Sequence, residues 1–385
     1  MSHIDREIKN LLLDFAGQFR AVMVVGPRQS GKTTLVQSVF PDKPYVSLEN
    51  PDERALALDD PRAFLSRFSE GAILDEIQRV PDLLNYLQGI LDKTDEDGLF
   101  ILTGSNNILL QESVSQSLAG RVGVLDLLPL SYREIATTKE ALTLQQLILR
   151  GAYPEIYDRD RSPQIWYPSY IRTYVERDVR QIKNIENTAL FTKFLKLCAG
   201  RVGQLVNLSA LSNECGIDMR TASSWLSVLE STYVIRLLQP FHHNFNKRIT
   251  KSSKLYFIDS GLACSLLGIR TTDELVLSHF KGALVENFII MELIKNGLNK
   301  GLQQTPYYWR ENNGVEVDVI LDSGTSFRPI EIKSAQTFSK NFLVNLKKFG
   351  SYSGASNGTL LYDGEMEFTT EDGYEVLNWR SYLKR

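Results

Sequence analysis

A glycine-rich segment near the amino terminus carries the clearest chemical pattern of the chain, G-x-x-x-x-G-K-T. Its residues are Gly26, Pro27, Arg28, Gln29, Ser30, Gly31, Lys32 and Thr33, followed by Thr34. An apolar run, 21–25, precedes the segment, and a helical pattern, 34–40, follows it. Strand, glycine loop and helix form the context of a phosphate-binding loop. We therefore predict that Lys32 contacts the β- and γ-phosphates of a nucleotide and that the Thr33 hydroxyl is a ligand of Mg²⁺.

Two acids follow a later apolar run. The run covers 71–74 and leads directly into Asp75 and Glu76. Downstream of a phosphate-binding loop, this pattern indicates a Walker B motif. We expect Asp75 to hold Mg²⁺ and Glu76 to orient and deprotonate the attacking water.

The next two predicted strands, 99–105 and 122–127, add candidates for the same site. A γ-phosphate sensor follows the first of these strands in P-loop enzymes with an additional strand, and Ser105 and Asn106 both suit that position. Arg121 precedes the second strand, where ring-forming ATPases place an arginine finger that reaches the neighbouring subunit's nucleotide. The alternative for Arg121 is a surface arginine at the end of a helix, where it interacts with the helix dipole.

A second constellation lies in the last third of the chain. Helical spacing over 282–297 includes Glu286, and strand patterns at 307–309, 315–321 and 329–333 include Asp318, Glu331 and Lys333. A further helix is expected at about 340–349, and 350–385 reads as a hairpin-like tail. The order of elements and the Asp, Glu-x-Lys set resemble a PD-(D/E)xK nuclease core. That resemblance implies that Glu286, Asp318 and Glu331 hold Mg²⁺ or Mn²⁺, and that Lys333 positions the nucleophile or neutralises developing charge.

The middle of the chain predicts a winged helix. Helices at 209–215 and from 218 onward are followed by strand patterns at 234–238 and 254–258. The second helix exposes Arg220, and the loop between the strands is basic, which predicts contacts with DNA phosphates from Arg220, Lys247, Arg248 and Lys251. The alternative is a packing or protein-contact module with an ordinary solvated loop.

Composition limits the classes of protein that remain. The chain has 385 residues, 43% of them apolar and 23% charged, with a net charge of -3. This balance argues against a uniformly basic nucleic-acid binder but allows a local basic patch. The three cysteines are far apart, and no signal peptide or apolar run of membrane-spanning length is evident. We therefore expect a cytoplasmic protein with reduced thiols and no membrane partner.

Several strings together resemble prokaryotic AAA-type ATPases that carry a C-terminal domain of unknown function, DUF4143. They are the P-loop, Leu-Asp-Glu-Ile-Gln at 74–78, Leu-Thr-Gly-Ser at 102–105, Leu-Ala-Gly-Arg-Val at 118–122 and Pro-Leu-Ser-Tyr at 129–132. The resemblance covers nearly the whole chain and implies an ATPase core with a small lid. Residues 151–155 are similar to the lid motif of related ATPases, which implies that Pro154 lies near the adenine.

These inferences combine into one expected organisation, of the α/β class. We expect an AAA-type P-loop ATPase core at 1–135, a helical lid at 136–185, a winged helix at 186–272 and a nuclease-like, restriction-endonuclease-like domain at 273–385. ATP and Mg²⁺ are the expected cofactors, and DNA and further copies of the chain, as a ring or hexamer, are the expected partners. Two hypotheses remain open: a DNA-directed ATPase with a metal-dependent nuclease domain, and a nucleotide-switched regulatory or scaffolding ATPase that binds DNA or protein without cleavage.

Overall fold

The structure is a computed structural model that describes residues 4–105, 118–138, 142–175, 187–241, 252–302, 306–311, 314–322, 324, 327–355 and 357–385. The chain forms two compact units. The first comprises Met1–Leu130, Ser231–Tyr233 and Leu298–Gly301, and the second comprises Ser131–Glu230, Val234–Gly297 and Leu302–Arg385. Within the described ranges, none of the helices combines the length and the apolar character that crossing a membrane requires.

The first unit is built on a five-stranded sheet whose strands all run parallel. The strands are β1 (Ala21–Val25), β2 (Tyr45–Ser47), β3 (Ala72–Asp75), β4 (Phe100–Gly104) and β5 (Val122–Asp126), in the spatial order β2-β3-β4-β1-β5. Its helices are α1 (Lys9–Ala16), α2 (Lys32–Val39), α3 (Pro51–Asp59), α4 (Pro61–Ser66) and α5 (Leu83–Leu91), with a 3₁₀ turn at Ile77–Arg79. The sheet confirms the predicted α/β core.

Burial on both faces explains why the central strands read as continuous apolar runs. All residues of β1 are buried, and alternate ones point to opposite sides. Met23 packs into one core with Leu74 and Leu102, whereas Val24 packs into a second core with Leu35. Because parallel strands share one carboxyl edge, the ends of β1, β3 and β4 place the glycine loop and the polar residues after β3 and β4 together.

The second unit begins with short helices. They are α6 (Tyr132–Ala136), α7 (Leu144–Arg150), α8 (Pro154–Asp158) and α9 (Pro163–Tyr170), followed by a π-helical turn at Ile171–Val175. Asp259 links this region to a later helix, α13 (Ser260–Leu267): its carboxylate caps α13 through the backbone N–H of Leu262 at 2.9 Å and also accepts from the N–H of Ala152 at 2.6 Å. One buried carboxylate therefore fixes the start of the α7–α8 connection.

The middle of the second unit contains three helices and two antiparallel strands. They are α10 (Thr188–Ala199), α11 (Leu208–Cys215), α12 (Met219–Ser231), β6 (Ile235–Leu238) and β7 (Lys254–Phe257). Gly216, at a φ of 80°, ends α11, and Trp225 of α12 packs edge-on against Phe191 and Phe194 of α10. The basic loop between the strands, with Lys247, Arg248 and Lys251, lies outside the described residues.

The carboxyl-terminal part of the second unit forms a six-stranded mixed sheet. After α14 (Thr272–Leu277) and α15 (Lys281–Asn299) come β8 (Pro306–Arg310), β9 (Glu316–Asp322), β10 (Phe327–Lys333), α16 (Val344–Ser353), β11 (Gly358–Tyr362), β12 (Phe368–Thr369), β13 (Tyr374–Asn378) and α17 (Trp379–Lys384). The strand order is β12-β13-β11-β10-β9-β8. Strands β8, β9 and β10 are antiparallel neighbours, and β11 pairs parallel to both β10 and β13.

Two expectations for this region need correction. The predicted helix at 340–349 starts as a 3₁₀ turn, Lys340–Leu343, and becomes α-helical only at Val344. The hairpin-like tail describes only part of 350–385: β12 and β13 pair antiparallel, but β11 pairs parallel with both β10 and β13. All five residues of β11 are buried, and α16 supplies the crossover that a parallel partner of β10 requires.

Candidate functional sites

The P-loop closes around its own lysine. Lys32 is buried, and its Nζ donates to the carbonyl oxygens of Gly26 at 3.1 Å and Pro27 at 2.9 Å. Gly31 precedes α2 at a φ of 91°, in the left-handed region that glycine adopts without strain. A Cβ on Gly26 would lie 2.2 Å from the carbonyl oxygen of Leu127, so only glycine fits there. The geometry of the loop therefore depends on both glycines.

Asp75 connects three elements at the carboxyl edge of the first sheet. The Thr33 hydroxyl donates to Asp75 Oδ1 at 2.9 Å, the Thr103 hydroxyl donates to the same oxygen, and the Tyr45 hydroxyl donates to Oδ2 at 2.9 Å. The structure thus brings the predicted metal ligands Thr33 and Asp75 together. Burial, together with the Asp75 carboxylate, raises the pKa of Tyr45 to about 12. Hydroxyl and carboxylate oxygens are the hard donors that Mg²⁺ prefers, so this set fits that ion.

Glu76 adopts a strained backbone conformation next to this carboxylate. Its φ of 59° and ψ of 48° place a non-glycine residue in the left-handed region, which costs about 1–3 kcal/mol. Its N–H donates to the Thr103 hydroxyl at 3.2 Å, and its carboxylate accepts from the Gln78 side-chain amide. Gln29, in the P-loop, also has a positive φ of 60°. Strained residues of this kind persist only where the surrounding structure fixes them, and they are concentrated at active sites and ligand-binding loops.

Two hydroxyl groups near these loops are buried without a partner. Among the described residues, Ser30 Oγ and Ser105 Oγ have no hydrogen-bond partner. Buried polar atoms are almost always paired, so an orphan oxygen in a loop of this kind indicates a ligand that completes it. A hydroxyl can donate to a phosphate oxygen, which agrees with the predictions for both residues. Asn106, the alternative sensor, lies outside the described residues.

Two arginines near the P-loop share one acid, Glu49. Its Oε1 lies 3.7 Å from Arg28 Nη1 and 3.3 Å from Arg79 Nη2. Glu49 and Arg79 were not predicted, since neither belongs to a recognised motif. Pro154 begins α8 in the second unit, and its expected position near the adenine stays a prediction.

Arg121 lies at the edge of the sheet opposite the P-loop. It precedes β5, whose first residue pairs with Ala21 at the amino end of β1, whereas the P-loop follows the other end of that strand, about 16 Å away along the strand. Its guanidinium forms a fork with the Asp92 carboxylate, including an Nη2–Oδ2 contact of 3.2 Å, and donates to the carbonyl of Ala119 at 3.1 Å. This placement separates Arg121 from the P-loop of its own chain. Its role as an arginine finger toward a neighbouring copy stays a prediction, beside the alternative of a surface arginine that pairs with Asp92.

In the second unit, an acidic cluster forms where α15 meets the mixed sheet. We use the name acidic cluster for Glu286 on α15, Glu316 and Asp318 on β9, and Glu331 on β10. Carboxylate oxygens of the first three lie within 4.8 Å of one another. Asp318 Oδ2 accepts from the Ile332 N–H at 2.8 Å, which ties it to the strand that carries Glu331. The structure therefore brings together all three acids that the sequence predicted, and it adds Glu316.

Two lysines neutralise part of the acidic cluster. Lys333 Nζ donates to Glu331 Oε1 at 2.6 Å, as its position two residues along the same strand predicts. Lys254, from β7, donates to Glu286 Oε1 at 2.7 Å and to Glu316 Oε1 at 2.6 Å. Sequence reasoning missed Glu316 and Lys254. Alternation along β9 could have found Glu316, because it lies on the same face as Asp318, but no local pattern indicates Lys254.

Burial and mutual repulsion set the protonation of the acidic cluster. Burial, and then the Glu331 carboxylate, raise the pKa of Asp318 well above its usual range, and burial also raises the pKa of Glu331. Burial alone would lower the pKa of Lys254 and of Lys333, but the surrounding carboxylates outweigh it and raise both. Within the described part of the chain, Glu331 Oε2 is buried without a hydrogen-bond partner. A carboxylate-rich set with an orphan oxygen fits Mg²⁺ or Mn²⁺.

Of the residues predicted to contact DNA, the structure describes Arg220 alone. Arg220 is exposed near the start of α12. The basic loop that was expected to act beside it lies outside the described residues. The contact of this region with DNA stays a prediction.

Comparison with known proteins places these features in a family. Models of three domains match the chain: an AAA domain over 18–136, a domain of unknown function (DUF8612) over 141–273 and a domain of unknown function (DUF4143) over 281–382. An uncharacterized protein of Mycobacterium tuberculosis is 31% identical over 361 residues, which cover 91% of this chain and 78% of that protein. An uncharacterized protein of Methanocaldococcus jannaschii is 23% identical over 338 residues, covering 78% and 71% of the two chains.

Solved structures give weaker similarity. A Walker-type ATPase of Pyrococcus abyssi aligns with a TM-score of 0.47 and 14% identity over 69% of this chain and 96% of that one. RuvB of Thermotoga maritima aligns with a TM-score of 0.32 and 20% identity over 60% and 87% of the two chains. On the sequence matches, the chain belongs to the family of prokaryotic P-loop ATPases in which an AAA domain is followed by a C-terminal DUF4143 domain.

Proposed function

We propose that this protein hydrolyses ATP and acts on DNA, with a metal-dependent nuclease-like domain at its carboxyl end. The observation that carries the ATPase part is the Asp75 carboxylate, which accepts hydrogen bonds from Thr33 and Thr103 below the P-loop. It joins the end of β3 to the start of α2 and to β4. These elements must meet if the nucleotide, its metal ion and the attacking water share one site.

Each residue of this site has a proposed task. Lys32 exchanges its bonds to the loop carbonyls for the β- and γ-phosphates, because it is the only ammonium of the loop. Thr33 and Asp75 hold Mg²⁺, which when bound neutralises charge on the phosphates. Glu76 orients the attacking water and accepts its proton, once its carboxylate is released from Gln78. Ser30 and Ser105 donate their unpaired hydroxyls to phosphate oxygens.

The DNA part of the proposal rests on topology and on the acidic cluster. Helix α15, the antiparallel strands β8–β10, helix α16 and the parallel strand β11 follow the order of a PD-(D/E)xK core. Asp318 and Glu331 would hold a divalent ion, which polarises a phosphodiester and acidifies bound water. Lys333, beside Glu331, orients that water or neutralises the charge that develops on the phosphate. The region of α10–α12 and β6–β7 would act as a winged helix that contacts DNA through Arg220 and its basic loop.

Assembly into a multimer is part of the same proposal. Arg121 lies on the edge away from its own P-loop, so it can assist hydrolysis only at the nucleotide of a neighbouring copy. In the single chain the Asp92 carboxylate holds this guanidinium. A ring would therefore require Arg121 to leave Asp92 for the neighbour's γ-phosphate. ATP turnover per chain should then rise with protein concentration.

The deciding experiment is a panel of duplex, single-stranded and branched DNA, incubated with Mg²⁺ or Mn²⁺ in the presence and absence of ATP. Wild type, Lys333→Ala and Lys32→Ala are compared, and both DNA cleavage and ATP turnover are measured over a range of protein concentrations. We expect the wild type to cleave DNA and to hydrolyse ATP. Lys333→Ala should lose cleavage and keep ATP turnover, and Lys32→Ala should lose ATP turnover. Intact DNA under every condition, with ATP turnover unaffected by any DNA, would overturn the proposed action on DNA.

A second candidate function keeps the ATPase and removes the cleavage step. In it, nucleotide binding switches a module that holds DNA or protein. The contact of Lys254 with both Glu286 and Glu316 favours this candidate, because a lysine already pairs with two of the carboxylates that a two-metal nuclease would need. ATP turnover stimulated by DNA, with no cleavage in the same panel, would select it.

A further inference from the structure

The acidic cluster encloses a lysine that comes from outside its own sheet. The Nζ of Lys254 lies 2.7 Å from Glu286 Oε1 and 2.6 Å from Glu316 Oε1. The ring centres of Tyr256 and Tyr308 lie 5.7 and 5.9 Å from the same nitrogen. Two carboxylates and two aromatic faces are contacts that favour a cation. The ammonium is buried and occupies a small site suited to a positive charge.

The backbone, rather than a flexible side chain, fixes the position of this ammonium. Asn287, next to Glu286 on α15, is fully buried and pairs with both backbone groups of Phe257: it accepts from the N–H at 2.7 Å and donates to the carbonyl at 2.9 Å. Tyr256 lies on the same face of β7 as Lys254, and its hydroxyl donates to Glu286 Oε1 at 2.5 Å. Strand β7 is therefore held in one register against α15, with Lys254 aimed at the carboxylates.

The charges of the cluster add up to a site for one divalent ion. When all four carboxylates are ionised, the two buried or half-buried ammonium groups, those of Lys254 and Lys333, leave two negative charges uncompensated. Arg310 contacts Glu316 at 3.1 Å from the exposed rim, where solvent weakens the interaction. Glu331 is 1% exposed, and its Oε2 has no partner in the described ranges. The unpaired oxygen belongs to Glu331, not to either of the two carboxylates that Lys254 bridges.

We propose that the ammonium of Lys254 stands in place of a metal ion between Glu286 and Glu316, so that the acidic cluster binds a single divalent ion, at Glu331 and Asp318. The inference rests on the proposed metal site of the C-terminal domain and states which of its acids the ion uses. It makes Lys254 a residue that determines metal stoichiometry. Glu286, predicted from the sequence as a metal ligand, becomes the counterion of a lysine.

Counting bound Mn²⁺ tests this inference without any measurement of cleavage. Mn²⁺ is titrated into nucleotide-free full-length protein that carries Asp75→Asn, which removes the metal ligand of the ATP site, and free Mn²⁺ is measured by its electron paramagnetic resonance signal. We expect one ion per chain, lost in Glu331→Gln and unchanged in Glu316→Gln. Lys254→Met, which keeps the length of the side chain but removes its charge, should bind a second ion, and adding Glu316→Gln should remove that ion.

A matched control comes from Lys295, another buried lysine of this unit, which lies on α15. Lys295 Nζ lies 2.8 Å from Glu292 Oε1, and both side chains are 4% exposed. Lys295→Met also deprives a buried carboxylate of a lysine, but outside the acidic cluster. We expect it to leave the Mn²⁺ count at one. A second ion in Lys295→Met would show that Mn²⁺ binds wherever a buried carboxylate loses its lysine partner, and would overturn the inference.

The remaining outcomes separate the inference from the proposed function. If Lys254→Met gains no ion, or if Glu316→Gln removes the ion while Lys254 is present, Lys254 does not replace a metal. If no ion depends on Glu331 in the wild type, the proposed metal site fails, whereas a Glu316-dependent ion in Lys254→Met still supports the assignment of Lys254. If Lys254→Met does not fold, the Mn²⁺ titrations of Glu316→Gln and Glu331→Gln test the inference instead. Equal losses of bound Mn²⁺ in the two variants would overturn it. A loss in Glu331→Gln alone would support it.

Discussion

The two units of this protein each hold carboxylates that accept hydrogen bonds from other side chains, but the donors differ. In the first unit, Asp75 accepts from the neutral hydroxyls of Thr33, Thr103 and Tyr45. In the second unit, Glu286 and Glu316 accept from the charged ammonium of Lys254. Hydroxyl donors orient a carboxylate and leave its negative charge in place, whereas an ammonium cancels that charge.

The site at Asp75 can therefore receive a cation directly. The site at Glu286 and Glu316 already contains one, the ammonium of Lys254. The hydroxyl donors to Asp75 are neutral and can stay in place or exchange with water ligands of a bound Mg²⁺. Glu286 and Glu316 would have to release a buried lysine first, which leaves that lysine without its partners. Position in the fold is therefore a poor guide to metal binding unless the counterions are also known.

The largest expected effect is on Glu76. Glu76→Gln keeps the size of the side chain and removes its ability to accept a proton, so we expect ATP turnover to fall by about 10²-fold or more. Binding of ATP should persist, because Lys32 and the P-loop are intact. Steady-state turnover and equilibrium ATP binding are measured together, with exposed Glu70→Gln as the control acid. Unchanged turnover in Glu76→Gln would show that Asp75 and Glu76 have been assigned to the wrong roles.

A smaller effect concerns the pH dependence of stability in the second unit. The pKa values of Asp318 and Glu331 are raised in the folded protein above their reference values of 3.8 and 4.5. The folded state therefore binds more protons than the unfolded state, and the stability that these groups contribute at low pH is lost as pH rises through the raised values. Each such proton changes the free energy of unfolding by at most about 1.4 kcal/mol per pH unit.

Glu331→Gln isolates this contribution. Urea unfolding with EDTA, between about pH 4.5 and 7.5, should show a free energy of unfolding that falls less steeply with pH in Glu331→Gln than in the wild type. Excess Mn²⁺ should flatten the wild-type curve, because bound metal replaces the protons. Parallel curves for the two proteins would mean that the pKa of Glu331 is not raised, and the contrast with the first unit would lose one of its supports.

The smallest expected effect is on Tyr45. Tyr45→Phe removes one of the donors that orient Asp75, and a hydrogen bond of this kind contributes about 0.5–1.5 kcal/mol. Since Tyr45 is 39% exposed, we expect the lower end of that range. The Mg²⁺ concentration for half-maximal ATP turnover should rise by roughly 2-fold, with maximal turnover nearly unchanged. A fall in that concentration would show that Tyr45 competes with the ion instead of orienting its ligand.

The predictions succeeded where local pattern and tertiary position coincide. The run 21–25 and the glycine loop after it specify β1, its turn and α2, because the chemistry of a P-loop lies within a few consecutive residues. The acids at 75 and 76 end a buried strand, so the shared carboxyl edge of a parallel sheet brings them to the P-loop. The expectation of a hairpin-like tail after 350 was incomplete for the opposite reason: it covers β12 and β13 but not β11. The short apolar strand β11 fits a hairpin equally well in sequence, and only packing against β10 selects the parallel arrangement.

Sequence by itself determined the strands around the P-loop, the phosphate-binding loop, the acid pair after β3 and the presence of Asp318, Glu331 and Lys333 on predicted strands. Each of these follows from spacing within one strand, one loop or one helix face. Only the tertiary structure decided which cations meet which acids. Lys254 precedes Glu286 and Glu316 by 32 and 62 residues, and nothing in its local sequence marks it. Its position depends on the two hydrogen bonds of Asn287 to the backbone of Phe257, which fix β7 against α15 and exist only after the chain has folded.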